Sequence, residues 1–316
     1  MEQKSNALES TRVVIIGSGF VGSTAAFAIL AQGISSEVVL IDTNKEKCIG
    51  EVLDLEQAAS FVPRAKVWAG DYADCANADI IVITAGVGQK PGQTRMEIAD
   101  VDAKIMKEII SNIRPYVTNA IILVVSNPLD VMTYVALKES GFPKQKVFGT
   151  GTTLDSARLR YYLGGEFHLD PENIEAYILG EHGDTSVPII SHMNVMGESL
   201  ANFPEYSEEK VRKAFLSARD SAYEIIKRKG ATYYAIAFVI ARMVRAILDD
   251  EGHAFPVSTL LEGEFGLHDV CLSVPALVGR SGVQKIIPLT LSEFEQEQLQ
   301  KSAQAIRSVI DTVLPK

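Results

Sequence analysis

A histidine held between glycines, Gly180-Glu181-His182-Gly183-Asp184, follows a predicted strand, and Thr152-Thr153-Leu154-Asp155-Ser156-Ala157-Arg158 opens a predicted helix before it. Asp155 and Arg158 stand three apart, so they share one helix face. Two further polar groups lie at or beyond the carboxyl ends of predicted strands. Asn127 closes Val124-Val125-Ser126-Asn127-Pro128, and Arg95 closes Gly86-Val87-Gly88-Gln89-Lys90-Pro91-Gly92-Gln93-Thr94-Arg95. The glycines and proline of the second stretch suit a loop that closes over a ligand, bringing Gln89 and Arg95 inward. Singly, each motif has an ordinary structural explanation: a solvated loop arginine, an Asn-Pro helix start, an i,i+3 ion pair, a structural histidine. Together they supply a histidine, a carboxylate able to orient it, two arginines and an amide. Reversible oxidation of a secondary alcohol beside a carboxylate calls for such a set. Histidine suits proton exchange near neutral pH, a carboxylate on its far nitrogen fixes the tautomer and stabilises the imidazolium, and arginine clamps a carboxylate bidentately as lysine cannot.

Hydride chemistry also needs an acceptor, and the start of the chain provides a place for one. Arg12-Val13-Val14-Ile15-Ile16-Gly17-Ser18-Gly19-Phe20-Val21-Gly22 reads as a strand, a GxGxxG turn and the start of a helix. Gly17 permits the tight turn, Gly19 lets the backbone approach a pyrophosphate, and Gly22 lets helix and strand pack closely. The helix N-terminus adds free N–H groups and partial positive charge. A second predicted strand, 38–41, ends in Asp42, a carboxylate that can accept from a ribose diol and would repel a 2′-phosphate, so NAD is favoured over NADP.

The elements that must position these groups are expected to alternate through the first half. Strands at 13–16, 38–41, 79–84 and 120–125 read as buried on both faces and therefore parallel, with helices at 24–31, 45–59, 95–116 and 128–139 between them. This predicts an α/β fold with a doubly wound, Rossmann-type parallel sheet. Past Gly149 the rhythm changes: a helix at 153–163, a strand at 174–179, helices at 207–229 and 232–248, strands at 255–260 and 270–277, and a last helix at 292–313 with a Ser292/Glu295 capping box. The expected organisation is an NAD-binding domain over 1–149 and an α+β catalytic and substrate domain over 150–316. The chain has 316 residues, 47 % of them apolar, and a net charge of −10. That balance argues against a nucleic-acid partner, and no apolar run is long enough to span a bilayer. Cys48, Cys75 and Cys271 have no metal-ligand or disulfide spacing, which points to reduced thiols and a cytoplasmic protein with no metal.

From Arg12 to the last helix the chain resembles the bacterial L-lactate dehydrogenases of the lactate/malate dehydrogenase family. GxGxxG, QKPGxTR, VSNP, LDSAR and GEHGD occur in family order. The resemblance implies that His182 is the proton donor and acceptor, Asp155 its partner, Arg158 the clamp on the substrate carboxylate, and Arg95 the group that polarises the carbonyl. Gln89, Asn127 and Thr232, in Lys229-Gly230-Ala231-Thr232, would complete the substrate pocket. Gly17, Gly19, Val21, Gly22, Asp42, Lys47, Tyr72, Gly86, Val87, Val125, Asn127 and Thr150 would touch NAD. On sequence alone, Lys47 and Tyr72 read as ordinary surface or helix residues.

Position 89 separates the two branches of this family. Malate dehydrogenases carry an arginine there for the second carboxylate of oxaloacetate, whereas Gln89 has no charge to offer, so pyruvate and L-lactate are expected as substrates. The alternative is a malate or other 2-hydroxy-acid dehydrogenase. A non-catalytic NAD-binding protein is disfavoured, because His182, Asp155, Arg95 and Arg158 are all present. The resemblance also implies a homotetramer. Relatives activated by fructose 1,6-bisphosphate carry an arginine and a histidine at the positions of Arg160 and Glu175. A carboxylate at 175 opposes a phosphate, so weak or absent activation is expected. Asp102 stands where relatives have asparagine, which leaves the local hydrogen bonding open.

Overall fold

A computed structural model describes residues 10–63, 65–87 and 95–314, with the backbone alone at 95–97. The elements run β1 (Arg12–Ile16), α1 (Phe20–Ala31), β2 (Glu37–Ile41), α2 (Lys45–Gln57), β3 (Lys66–Ala69), β4 (Ile80–Ile83), α3 (Arg95–Ile113), β5 (Ile121–Val124), α4 (Leu129–Ser140) and β6 (Val147–Gly149). They continue with α5 (Thr153–Phe167), β7 (Ile174–Glu175), β8 (Ile178–Leu179), β9 (Val187–Pro188), β10 (Asn194–Val195), β11 (Glu198–Ser199), α6 (Glu208–Lys229), α7 (Tyr234–Leu248), β12 (His253–Glu262), β13 (His268–Gly279), β14 (Gly282–Ile286) and α8 (Glu293–Val313).

Among the described residues, nine strands form one sheet in the order β14-β13-β12-β6-β5-β4-β1-β2-β3. From β6 to β3 the pairings are parallel. β1, β4 and β5 are buried almost without interruption, as expected of strands covered by helices on both faces. The crossing from β3 to β4 on the far side of β1 places a topological switch at the carboxyl ends of β1 and β4, where open α/β sheets bind ligands.

The second half does not keep to itself. β12 and β13 form a long antiparallel hairpin, and β12 docks on β6 through a pairing of Ser258 with Gly149. The strands expected at 255–260 and 270–277 therefore extend the sheet of the first half. One apolar layer unites Val14, Ile83, Ile110 and Val124 with Leu272, Leu299 and Ile306; the other unites Ile15, Ile29 and Leu123 with Ile240, Val244 and Val257. α7 shows how the second layer closes: Ala237, Ile240, Ala241, Val244 and Ile247 recur at helical spacing and are buried where α7 packs along α1. Fully burying such an isoleucine or valine contributes roughly 1.5–3 kcal/mol.

A third apolar cluster, among them Leu163, Phe167, Ile178, Val211 and Ala218, lies entirely in the second half between α5, α6 and the short strands. The strand expected at 174–179 is two: β7 joins β10 and β11, while β8 pairs with β9. The last helix carries the expected capping box, in which Ser292 and Glu295 bond reciprocally. Glu295 also accepts from the N–H and hydroxyl of Ser191, at 2.9 and 2.6 Å, and so ties the helix start to the β9–β10 connection.

Candidate active site

The fingerprint folds as its residue types require. Gly17 has φ +107°, and a Cβ there would sit 2.7 Å from the main-chain nitrogen of Ala85. A Cβ on Gly22 would overlap the carbonyl oxygen of Gly17, so this contact between helix and turn needs glycine. Gly19 is the N-cap of α1 with no side-chain cap, and a Cβ on it would meet nothing within 4 Å. The turn is therefore open beside Gly19, and the start of α1 has no side-chain cap, a fit for a pyrophosphate. Asp42, at the end of β2, accepts from the N–H and hydroxyl of Ser18, at 2.6 and 3.0 Å, and from the N–H of Asn44 at 2.9 Å. Burial raises its pKa, but these bonds and the charge of Lys47 outweigh it and leave the carboxyl below its ordinary value. Lys47 lies over the ring of Phe20, 5.9 Å from its centroid. The phenol of Tyr72 is half-buried beside Asn112 of α3, and burial first, then nearby Glu108, pushes its pKa up.

Gly86 and Val87 follow β4, Val125 and Asn127 follow β5, and Thr150 follows β6. With Gly17 and Asp42 they gather at the carboxyl end of the parallel sheet. Gln89 lies outside the described residues, as does the side chain of Arg95, whose backbone opens α3. Thr232 is half-buried in the turn between α6 and α7.

The histidine loop is secured to the helix that bears Asp155. The hydroxyl of Thr152 donates to the carbonyl of Ile178, and the N–H of Ile178 donates to Ser156 Oγ at 2.9 Å, so β8 is fastened to the start of α5. Gly180, at φ +88°, exchanges two main-chain bonds with Ser273 of β13 and turns the chain toward α5. His182 Nδ1 then meets Asp155 Oδ2 at 2.5 Å, and Arg158 Nη1 meets Asp155 Oδ1 at 3.2 Å. The i,i+3 ion pair is thus real and coexists with the histidine contact. Both charged side chains of the pair are 12 % exposed, whereas His182 keeps 27 %. Burial would neutralise Asp155 and His182, but opposite charge wins. Asp155 is held below the ordinary carboxylate range by His182 and Arg158, and His182 is held above the ordinary histidine value by Asp155 and Asp130.

Three supporting groups escape a reading of the sequence. Asp130 accepts the N–H of His182, and Ser302 of α8 accepts the N–H of Glu181 at 2.7 Å. Ser258 donates to Asp130. In sequence Asp130 reads only as an acid in the first turn of a helix, three residues past Asn127, and Ser302 as one polar residue on an apolar face; no spacing rule points either at the loop.

Asp102 resolves the question left open at that position. It is buried, and its Oδ1 accepts the N–H of Val87 at 2.8 Å, fastening the end of the β4 turn to α3. Burial pushes its pKa up to about 6, against the smaller opposing effect of that bond. An acid whose folded pKa is raised costs stability once pH exceeds its unfolded value, and the cost is complete above the folded one. An asparagine in its place would keep the acceptor without the charge. Asp102→Asn is therefore expected to stabilise the protein at pH 8 by about 1–2 kcal/mol, with little change at pH 4. Urea unfolding at the two pH values checks this, and equal stabilities at pH 8 would contradict it.

The comparisons with known proteins run along the whole described fold. Residues 11–149 match the lactate/malate dehydrogenase NAD binding domain, and residues 152–316 match the lactate/malate dehydrogenase alpha/beta C-terminal domain. L-lactate dehydrogenase 1 of Bacillus cereus (strain ATCC 10987 / NRS 248) is 46 % identical over 308 residues, 96 % of this chain and 98 % of the relative, and the enzyme of the same name from Bacillus anthracis matches equally. Among solved structures, the minor L-lactate dehydrogenase of Enterococcus mundtii superposes with a TM-score of 0.94 at 40 % identity, covering 97 % of this chain and 99 % of that one. A lactate dehydrogenase from a deep-sea metagenome library gives 0.93 at 42 %, covering 96 % of this chain and 99 % of that one. Both family models and the relatives thus match nearly the full length, and the chain belongs to the lactate/malate dehydrogenase family.

Proposed function

We propose that this chain interconverts L-lactate and pyruvate with His182 as the group that exchanges the hydroxyl proton. The observation that carries this reading is the 2.5 Å contact between His182 Nδ1 and Asp155. With Nδ1 engaged by a carboxylate, Nε2 is the nitrogen available to substrate. NAD, held at the carboxyl ends of the parallel strands, would supply the hydride chemistry for the alcohol or carbonyl carbon. In the oxidative direction His182 Nε2 accepts the hydroxyl proton, and the imidazolium so formed is stabilised by Asp155. In the reductive direction the imidazolium delivers that proton to the carbonyl oxygen.

Arg158 commits one nitrogen to Asp155, which leaves the rest of its five-donor fork for the substrate carboxylate. Arg95 polarises the carbonyl, and Asn127 and Thr232 complete the pocket. Cofactor contacts are assigned to Gly17, Gly19, Val21, Gly22, Asp42, Lys47, Tyr72, Gly86, Val87, Val125, Asn127 and Thr150, of which Gly17, Asp42, Gly86, Val87, Val125, Asn127 and Thr150 share the carboxyl end of the parallel sheet. NADH absorbance assays with pyruvate, oxaloacetate and branched 2-keto acids test the substrate assignment. Faster turnover of oxaloacetate than of pyruvate would overturn it.

The quaternary reading is a homotetramer. It is supported by apolar side chains left exposed on neighbouring surfaces of α1, α2 and α7: Phe20 and Phe27, Ile49 and Leu53, and Tyr234 and Phe238. Phe20 stacks on Tyr233 at 5.2 Å, which makes part of this a continuous patch. Sedimentation at a monomer mass in the micromolar range would refute it. A cytoplasmic location accords with three buried free cysteines and with the lack, among the described residues, of any helix long and apolar enough to cross a membrane; cell fractionation checks it.

Activation by fructose 1,6-bisphosphate is expected to be weak or absent. Glu175 already receives the hydroxyl of Tyr177 and puts a carboxylate where a phosphate would need a cation. Titrating the sugar phosphate against pyruvate reduction should leave KM within about twofold, since a like charge opposes the effector. A tenfold fall in KM would reverse this conclusion.

A further inference from the structure

Beneath the histidine loop lies a second carboxylate. Asp130 sits in the first turn of α4, has no solvent exposure, and has both oxygens committed. Oδ2 accepts the N–H of His182 at 2.8 Å, and Oδ1 accepts the hydroxyl of Ser258, on β12, at 2.6 Å. An acid at a helix start gains from the helix dipole while remaining in water, so that role alone does not account for complete burial. Desolvating a carboxylate costs several kcal/mol unless specific donors meet it, and here the donors are the catalytic loop and the strand that joins the two halves of the sheet.

We propose that Asp130 is a positioning residue for His182: it anchors the histidine's main chain to the helix that follows Asn127, and its charge favours the protonated imidazole. This rests on the reading of His182 as the proton-exchanging group. His182 would then answer to one acid through its ring and to another through its backbone. Among the described residues, the groups around the pair are few. α5 contributes Asp155 and Arg158, the loop itself contributes Glu181, β12 contributes the neutral Ser258, and β13 contributes the buried thiol of Cys271. Asp155 and Asp130 raise the pKa of His182, and Arg158 lowers it. Burial lifts Asp130 itself to about 6, with Ser258 and His182 restraining the rise, so it is largely ionised at neutral pH.

The two directions of reaction make the role measurable. Pyruvate reduction needs protonated His182 and fails as pH rises; lactate oxidation needs it neutral and fails as pH falls. Loss of the Asp130 charge lowers the proton affinity of His182, so both limbs move toward lower pH. A purely structural defect would depress both directions at all pH values and leave the limbs in place.

The test is the pH dependence of kcat/KM for pyruvate and for lactate in Asp130→Asn and Ser258→Ala, beside His182→Asn. For Asp130→Asn, pyruvate reduction at pH 8, relative to the same variant at pH 6, is expected to fall roughly three- to tenfold further than in the wild type. Lactate oxidation at pH 6 relative to pH 8 should improve correspondingly. Ser258→Ala keeps the carboxylate but removes a donor that favours its charge, so it should shift both limbs the same way by a smaller amount; this variant decides the matter if Asp130→Asn does not fold. Unmoved limbs in a folded Asp130→Asn, or in Ser258→Ala where it stands alone, overturn the proposal. If those limbs stay put while His182→Asn is inactive, only the role of Asp130 falls. If His182→Asn retains turnover, the reading of His182 falls and takes this one with it.

Discussion

His182→Asn is expected to lower kcat for pyruvate reduction by about 10²–10⁴-fold, the range spanned by loss of a positioned general acid. Asparagine approximates the size of the ring but cannot deliver a proton, so the carbonyl oxygen must take one from water as hydride arrives. NADH affinity should change little, because the fingerprint stands at the ends of β1 and β2 and shares no hydrogen bond with the histidine loop among the described contacts. Asp155→Asn should approach the same loss by another route. The imidazole then lacks the charge that stabilises its protonated form, and the single remaining amide oxygen cannot accept from both Nδ1 and Arg158. Steady-state rates together with NADH fluorescence titration separate chemistry from cofactor binding. A His182→Asn enzyme within tenfold of the parent would remove the basis of the mechanism.

Gln89→Arg should redirect the enzyme toward oxaloacetate. The second carboxylate of that substrate, placed in a closed pocket without a cation, carries an uncompensated desolvation cost of roughly 3–5 kcal/mol, or a hundredfold and more in kcat/KM. An arginine removes this cost and imposes one of its own on pyruvate, whose methyl offers the guanidinium no partner. Both effects move the ratio in the same direction. Rates of the variant with the two keto acids give the ratio directly, and an unchanged preference for pyruvate would mean that residue 89 does not face the substrate side chain.

Much of the fold is legible in the sequence because the central strands announce themselves. β1, β2, β4 and β5 are continuous β-branched or leucine runs, and their burial on both faces follows from that composition. β3 and β6 escape such a reading for opposite reasons. The first is a short, partly exposed edge whose burial is mixed, and the second is only three residues long before a glycine and two threonines break any pattern. α1 begins at Phe20, before the expected Thr24, since the fingerprint glycines conceal helical geometry that a cofactor cradle requires. The segment 174–179 reads as one strand because its apolar composition is continuous, yet it divides between two small sheets.

At the site, legibility follows motif. His182 and Asp155 are paired through family resemblance, and the structure brings their side chains together. Asp130, Ser258 and Ser302 act through contacts between residues over 50 positions apart in sequence. Their meaning exists only after the sheet has assembled. Asp102 stands out in sequence as a departure, but its bond to Val87 cannot be inferred there, since it depends on how α3 lies against the β4 turn.

The docking of β12 on β6 has a further consequence. The cradle for the dinucleotide and the His182–Asp155 pair stand on a single slab, stitched between β12 and β6 by backbone bonds and by Ser258 reaching Asp130. Severing the chain after Gly149 would strip the cover from both apolar layers and lay open a strand edge that invites pairing with other molecules. The two halves are thus interdependent, and dinucleotide occupancy at one end should protect α8 at the other from melting.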